Sequence, residues 1–190
     1  MPEGRTMLVG SKVRLRPIED EDVPRFVAWL GDPEVRRHLA LVLGPGLAQE
    51  KQWREQTLAL PALERPFAVE TRVARRGWRL VGSAGLQGFD WRNRSAELGL
   101  VIGDKSQWDR GLGTDVTEVL VRHAFATLNL HRVWLRVFTD NARGRKVYER
   151  AGFVLEGRQR DGDFRDGNYR DVLVYSLLST EWASRQPRTS

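Results

Sequence analysis

A glycine-containing turn between a strand-like run and a helix-like run constrains this chain more than any other feature. The turn extends from Trp108 to Asp115 and carries Gly111 and Gly113, and apolar residues at helical spacing follow it directly. Glycines let backbone N–H groups approach an anion closely, and the N-terminus of the next helix adds the positive end of its dipole. The turn therefore suits a phosphate group, although glycines in this pattern also serve simply to start a helix.

Length and composition favour one globular unit. The chain has 190 residues, so we expect a single domain over residues 1–190 with its core at about 12–182. No apolar run reaches membrane-spanning length and no secretory signal opens the sequence, so we expect a cytoplasmic protein with no membrane partner. The complete absence of cysteine excludes disulfides, thiolate nucleophiles and cysteine metal sites.

The net charge of +6 comes mostly from arginine, whose planar fork suits phosphate and carboxylate groups. These charges are scattered and interleaved with acidic residues, so a solvated surface is as good an interpretation as a nucleic-acid footprint, and we expect no DNA partner. The three histidines, His38, His123 and His131, lack the spacing of metal ligands, and we expect no metal.

Apolar periodicity predicts the order strand, two or three helices, three strands, helix, strand, helix and a closing hairpin. We expect the hairpin to have a polar tip at Asp161–Gly162 and Asp166–Gly167. The predicted strands cover residues 12–18, 67–73, 79–89, 95–103, about 133–137, 153–160 and 170–178. The predicted helices begin near 20, cover 34–39 and 48–60, follow the glycine turn to about 128, and cover 142–150.

With the turn placed in this order, the chain resembles the GCN5-related N-acetyltransferase (GNAT) superfamily, whose pattern is Gln/Arg-x-x-Gly-x-Gly/Ala. Trp108 stands where that pattern has Gln or Arg, a departure typical of the RimJ/RimL-like branch with its Trp-x-x-Gly-x-Gly/Ala-Thr-Glu/Asp run. Further segments resemble the branch in the same order and cover nearly the whole chain: Leu15–Pro17, Trp29, Asp32–Val35, Ala96–Gly103, Asn141, Tyr148–Phe153, Glu156–Gly157 and Val172–Leu178.

The resemblance implies a single-domain GNAT fold of the α/β class, in its α+β form. That fold has a mixed, mostly antiparallel sheet of about seven strands, which is flanked by helices and splayed between strands four and five. It also implies acetyl-coenzyme A as co-substrate, without a metal. Many relatives are homodimers, so a homodimer is one possible state of this chain.

The resemblance also places two catalytic residues. Glu97 occupies the position that often supplies the base for the acceptor amine, although a strand carboxylate with a surface arginine partner is an equal interpretation. Tyr148 occupies the position of the general acid that faces the coenzyme sulfur, although it could simply pack on the core. Some members of the branch carry a serine, a possible general acid, where this chain has Gly144, which leaves Tyr148 as the better candidate.

The implied coenzyme contacts lie before, in and after the turn. The backbones of Val101, Ile102 and Gly103 would bind the pantetheine arm, and one such N–H could polarise the thioester carbonyl. Arg110 would pair with a phosphate, with a solvated charge as the less favoured interpretation, and Asn141 would contact the coenzyme or cap its helix. The remaining predicted coenzyme-binding residues are Trp108, Gly111, Leu112, Gly113 and Thr114.

The function implied is acetyl transfer from acetyl-coenzyme A to a primary amine. A protein N-terminal α-amine, such as that of a ribosomal protein, is the first candidate, and a small amine such as an antibiotic, a polyamine or an amino acid is the second. A hypothesis of another class is a non-catalytic module that keeps the fold and binds RNA or ribosomes through its arginines.

Overall fold

The computed structural model describes residues 7–73 and 77–185. The helices are α1 (Val23–Gly31), α2 (Pro33–Arg36), α3 (Leu47–Ala59), α4 (Leu112–Arg122), α5 (Ala142–Ala151) and α6 (Ser179–Ser184). The strands are β1 (Leu8–Val9), β2 (Val13–Pro17), β3 (Phe67–Val73), β4 (Gly77–Asp90), β5 (Ser95–Ile102), β6 (Arg132–Phe138), β7 (Val154–Arg165) and β8 (Asn168–Leu178). Within the described ranges, no helix is long and apolar enough to cross a membrane.

One eight-stranded sheet organises the chain, in the order β1-β2-β3-β4-β5-β6-β8-β7. Every neighbouring pair is antiparallel except β5 with β6. The mixed, mostly antiparallel α/β architecture expected from the sequence is thereby confirmed. The strand beyond the expected seven is the two-residue β1, which is too short for a periodic signal.

The parallel pair β5–β6 holds for only three residues on each strand. Ser95 to Glu97 pair with Arg132 to Trp134, and pairing then stops. Beyond this point β5 continues to pair with β4 as far as Ile102, and β6 continues to pair with β8 as far as Phe138. The two halves of the sheet therefore diverge, which confirms the expected splay.

The closing hairpin is longer than predicted, and its tip is smaller. Only Asp166 and Gly167 form the turn, with φ angles of 50° and 81°. The expected second part of the tip at Asp161–Gly162 is wrong, because β7 runs through it with an irregularity in register between Gln159 and Asp163. The Asp161 N–H donates to the Asp171 carboxylate at 2.8 Å, which holds this irregularity inside the strand pair.

Helix α4 carries the apolar face that the spacing predicted. Val116, Val119 and Leu120 are at most 2% exposed and belong to the main core cluster, together with strand residues such as Leu15 and Leu135. A five-residue π-helical segment, His123–Thr127, extends the helix. Burial of this face fixes α4 against the sheet and so fixes the glycine turn that precedes it.

Asp115, in the first turn of α4, ties that helix to the segment between β1 and β2. Its carboxylate accepts hydrogen bonds from the N–H groups of Ser11, Lys12 and Val13 at 3.0, 2.7 and 2.9 Å, and from the Ser11 hydroxyl at 3.0 Å. Burial alone would raise the pKa of Asp115, but the hydrogen bonds from Lys12, Ser11 and Val13 outweigh it and lower the pKa. The ionised carboxylate therefore stabilises the fold.

Replacing Asp115 with Asn should lower the free energy of unfolding by about 2 to 3 kcal/mol, because charge-assisted bonds are lost and an amide N–H meets other N–H donors. The folded-state pKa lies below the unfolded one, so the contribution is present above the unfolded pKa and is lost as pH falls through the folded pKa. Urea titrations should show the largest difference from the parent chain near neutral pH and a smaller one below about pH 4.

The matched control is Glu118→Gln, which removes an exposed carboxylate from the same helix. It should change stability by less than about 0.5 kcal/mol. Equal stability of Asp115→Asn and the parent chain at pH 7 would contradict the structural role of Asp115.

Candidate active site

A cavity of about 780 Å³ opens where β5 and β6 diverge. One side is formed by the glycine turn and the start of α4, and another by the N-terminal half of α5. The opposite end is lined by the segment after α2 and by the β7–β8 hairpin. Ten of the twelve predicted catalytic and coenzyme-binding residues line it, and the two that do not are Gly103 and Arg110.

The glycine turn has the geometry of an anion cradle. Gly111 adopts φ 78°, ψ 10°, the left-handed conformation that favours glycine, and directly precedes α4. The backbone N–H groups of Leu112, Gly113 and Thr114 in the first helical turn have no partner within the helix. A Cβ at Gly113 would lie 3.3 Å from a Val147 methyl group, so this glycine also permits close packing of α4 on α5.

Trp108 joins three parts of the cavity wall. Its indole N–H donates to the Ile102 carbonyl at 2.7 Å, at the free end of β5. The Arg143 guanidinium from α5 lies 4.5 Å from the centre of the indole ring and also pairs with Asp109 at 3.0 Å. Trp108 therefore fixes the position of β5 relative to the turn, and its contact with coenzyme stays a prediction.

The backbone of β5 differs from the expectation for the pantetheine arm. The Gly103 N–H donates to the Val81 carbonyl of β4 at 2.8 Å, so this N–H is used within the sheet, and a contact of Gly103 with the pantetheine arm stays a prediction. Hydrogen-bonding directions alternate along a strand, so Val101 also faces β4, whereas Leu100 and Ile102 face the gap between the sheet halves. A Cβ at Gly103 would lie 2.3 Å from the Trp29 ring, which explains the glycine by packing.

The structure places Arg110 and Asn141 differently relative to the cavity. The backbone carbonyl of Arg110 accepts from the Lys12 ammonium at 2.9 Å, but the Arg110 side chain lies outside the cavity lining. The Asn141 side chain accepts from the Gly144 N–H at 2.9 Å, which makes it the N-cap of α5 as expected, and Asn141 also lines the cavity. Phosphate pairing by Arg110 and a coenzyme contact by Asn141 stay predictions.

Tyr148 lies on α5 with its side chain between the core and the cavity. It is 9% exposed, and its ring packs 6.0 Å from the Phe153 ring centre. Burial raises the pKa of Tyr148 to about 12, so the hydroxyl keeps its proton at neutral pH. Among the described residues none hydrogen-bonds to this hydroxyl, which leaves its O–H available to a molecule in the cavity.

Glu97 stands at the last residue of β5 that pairs with β6, and its carboxylate crosses to Arg136 on β6. Its Oε1 accepts from Arg136 Nε at 2.8 Å, and its Oε2 accepts from Arg136 Nη2 and from Gln87 Nε2, both at 3.3 Å. Glu97 therefore has an arginine partner, as its alternative interpretation from the sequence expected. A role as base stays a prediction, and Oε2, with only two long bonds, is the oxygen suited to it.

Sequence reasoning missed a basic row on α5. Arg143, Lys146 and Arg150 are exposed and line the cavity beside the glycine turn. Their spacing of three and four residues puts them on one helix face, a signal that was readable in the sequence. Three cations near an anion cradle add a favourable field for a ligand that carries several phosphates.

His38 was also missed, because the predicted helix over 34–39 ends at Arg36 and leaves His38 in an irregular segment that lines the cavity. Its Nδ1 lies 3.7 Å from Asp140 Oδ1. Burial lowers the pKa of His38, and the nearby Arg37, Arg170 and Arg143 add to this effect while Asp140 opposes it. His38 is therefore mainly neutral at neutral pH.

A family model described as an acetyltransferase (GNAT) domain matches residues 12–154. The chain belongs to the GNAT family. Its relatives and structural neighbours are named as acetyltransferases, and the chain is accordingly an N-acetyltransferase that uses acetyl-coenzyme A as co-substrate.

Two curated relatives illustrate the range of the similarity. YdaF of Bacillus subtilis, provisionally named as a ribosomal N-acetyltransferase, is 30% identical over 181 residues, which cover 93% of this chain and 97% of YdaF. The spermidine N(1)-acetyltransferase of Vibrio cholerae is 31% identical over 122 residues, which cover 64% of this chain and 68% of that protein.

A solved structure shows the same fold. The crystal structure of spermidine N-acetyltransferase from Vibrio cholerae, in complex with CoA and spermine, superposes with a TM-score of 0.82 at 23% identity. The match covers 91% of this chain and 99% of that chain.

The residues of this GNAT cavity fit coenzyme A. The glycine turn offers unpaired N–H groups and no Cβ at Gly111, and the basic face of α5 supplies cations for phosphates. The coenzyme brings the activated acetyl thioester, and the protein must position it beside the acceptor.

Replacing Gly111 with Ala should weaken binding of coenzyme A about tenfold, measured by calorimetry, because a Cβ at a φ of 78° shifts the turn. The control is Gly77→Ala, since Gly77 has a similar φ of 73° and open space around it but lies outside the cavity lining. Both variants should lose about 1 kcal/mol of stability. Equal coenzyme affinity of the two variants would contradict the cradle.

Proposed function

We propose that this GNAT enzyme acetylates a protein N-terminal α-amine, as the RimJ/RimL-like resemblance implies. The observation that carries the proposal is the state of the carboxylates in the cavity. Glu34, Glu97, Asp109 and Asp163 line it, and each is paired with a basic side chain: Lys105, Arg136, Arg143 and Arg170, respectively. A single amine needs no free carboxylate, whereas a polyamine has several ammonium groups to neutralise.

The relatives include one named for a ribosomal substrate and one named for a polyamine, so a specific observation also supports the small-amine alternative. The spermidine acetyltransferase of Vibrio cholerae is 31% identical over part of the chain, and the YdaF similarity extends over nearly all of it. The extent of the YdaF match and the paired carboxylates together favour the N-terminal amine.

In the proposed mechanism the acceptor nitrogen loses one proton and the leaving sulfur gains one. Glu97, through Oε2 and directly or through a water, takes the proton from the acceptor amine. Tyr148 donates its hydroxyl hydrogen to the sulfur as the C–S bond breaks and the C–N bond forms. A pKa of about 12 keeps that hydrogen in place until negative charge develops on sulfur.

Tyr148→Phe should lower kcat about 100-fold with little change in the affinity for coenzyme, because only the hydrogen-bond donor is lost. Glu97→Gln should lower kcat about tenfold or more, because the group that takes the proton from the acceptor amine is lost. Thiol release from acetyl-coenzyme A measures both. Tyr175→Phe is the control, since Tyr175 is buried, donates to Glu149 and lies outside the cavity lining.

Full activity of both Tyr148→Phe and Glu97→Gln would contradict the assigned roles. A loss in Tyr175→Phe as large as in Tyr148→Phe would point to packing instead of proton transfer.

A screen of acceptors should give the fastest thiol release with peptides that have a free N-terminus, and slower release with spermidine or an aminoglycoside. Acetylating the peptide N-terminus beforehand should abolish the reaction, which controls for lysine acetylation. Faster turnover of spermidine than of every peptide would favour the small-amine alternative.

A further inference from the structure

The ion pair between Glu97 and Arg136 forms at the point where the two parallel strands separate. Glu97 lies opposite Trp134 in the last register pair of β5 with β6, and Arg136 follows two positions later on β6. Because side chains alternate along a strand, Trp134 and Arg136 belong to the same face of the sheet. Arg136 is therefore the first side chain on that face of β6 beyond its pairing with β5.

The Arg136 guanidinium crosses the gap and engages both oxygens of the Glu97 carboxylate. Its Nε donates to Oε1 at 2.8 Å, and its Nη2 donates to Oε2 at 3.3 Å. From the opposite side, Gln87 on the paired strand β4 donates to Oε2 at 3.3 Å. A forked guanidinium fixes the orientation of a carboxylate as well as its distance. The short bond lies on Oε1, so Oε2 is the oxygen that can take a further hydrogen bond.

Arg136 has a support of its own. The centre of the Trp134 ring lies 5.8 Å from the guanidinium carbon, which is within the range of a cation–π contact. The Arg136 side chain is 52% exposed, whereas that of Glu97 is only 13% exposed. Gln87, Glu97 and Arg136 all line the active-site cavity. The arginine thus holds the carboxylate from the solvent side while the carboxylate remains part of the cavity wall.

The fold gains little from such a pair, because solvent screens an ion pair that has one half-exposed member. A general base gains more, since it must stay within hydrogen-bond reach of the proton that it takes. A glutamate side chain without partners samples several rotamers, and two anchored oxygens remove most of that freedom. The arrangement therefore serves the reaction more than it serves stability.

We propose that Arg136 is a positioning residue for acetyl transfer, which holds the Glu97 carboxylate so that Oε2 remains free for the proton of the acceptor amine. The inference deepens the proposed function and rests on it for the role of Glu97 as base. Arg136 acts through Glu97 in this proposal, and its removal should slow the chemical step without affecting the binding of coenzyme.

Arg136→Gln should lower kcat about fivefold to tenfold, because the base loses its fixed orientation. Thiol release is measured with the fastest acceptor from the screen of peptides, spermidine and an aminoglycoside. Calorimetric affinity for coenzyme A and the urea midpoint should stay close to those of the parent enzyme. Arg132→Gln is the matched control, since Arg132 also lies on β6 and pairs with Glu156 but is outside the cavity lining. It should keep kcat within about twofold.

A double variant separates positioning from a structural role. In the Glu97→Gln background, Arg136→Gln should cause no further loss of kcat, because the base that it orients is already absent. In the parent background, added ethylguanidinium should restore part of the kcat of Arg136→Ala. The same additive should leave Glu97→Gln combined with Arg136→Ala unchanged.

Parental kcat in Arg136→Gln, together with a slow Glu97→Gln, would overturn the positioning and leave the base in place. An equal further loss in the Glu97→Gln background would overturn it too, as would a fall in coenzyme affinity large enough to account for the slower turnover. Full activity of Glu97→Gln would contradict the base itself and the positioning with it. The single Glu97 variant therefore distinguishes a failure of the proposed function from a failure of this inference alone.

Discussion

The short parallel pairing of β5 with β6 is the constraint on which the functional architecture depends. Each strand keeps its antiparallel neighbour while losing the other, so backbone groups on the facing edges lack strand partners beyond Glu97 and Trp134. Buried N–H and C=O groups need partners. The Trp108 indole satisfies the Ile102 carbonyl, and the remaining gap becomes a cavity where a ligand can complete the hydrogen bonding.

The first turn of α4 serves both stability and binding. Its N–H groups at Leu112 to Thr114 border the cavity, while the Asp115 carboxylate binds the backbone between β1 and β2. A carboxylate in the first turn also interacts favourably with the positive end of the helix dipole. An anion cradle must keep its donors fixed without a ligand, and this anchor to a distant part of the sheet provides that rigidity.

Local sequence signals predicted the elements that they determine, including the glycine turn before α4, the buried face of α4 and the Asn141 cap. Contacts between distant segments were not readable. The Gly103 N–H bonds to Val81, and the Glu97 carboxylate bonds to Arg136, because register and splay bring those residues together. The hairpin tip was misplaced since a side chain ten residues away, Asp171, satisfies the Asp161 N–H inside the strand.

Charge divides the pocket region into parts with different chemistry. At the glycine turn the basic face of α5 adds cations, whereas each carboxylate lining the active-site cavity already has a basic partner. Burying a second ammonium there would require breaking one of these pairs, while a lone amine can enter neutral after losing its proton. The same electrostatic pattern that disfavours a polycation therefore favours an acceptor with a single amine.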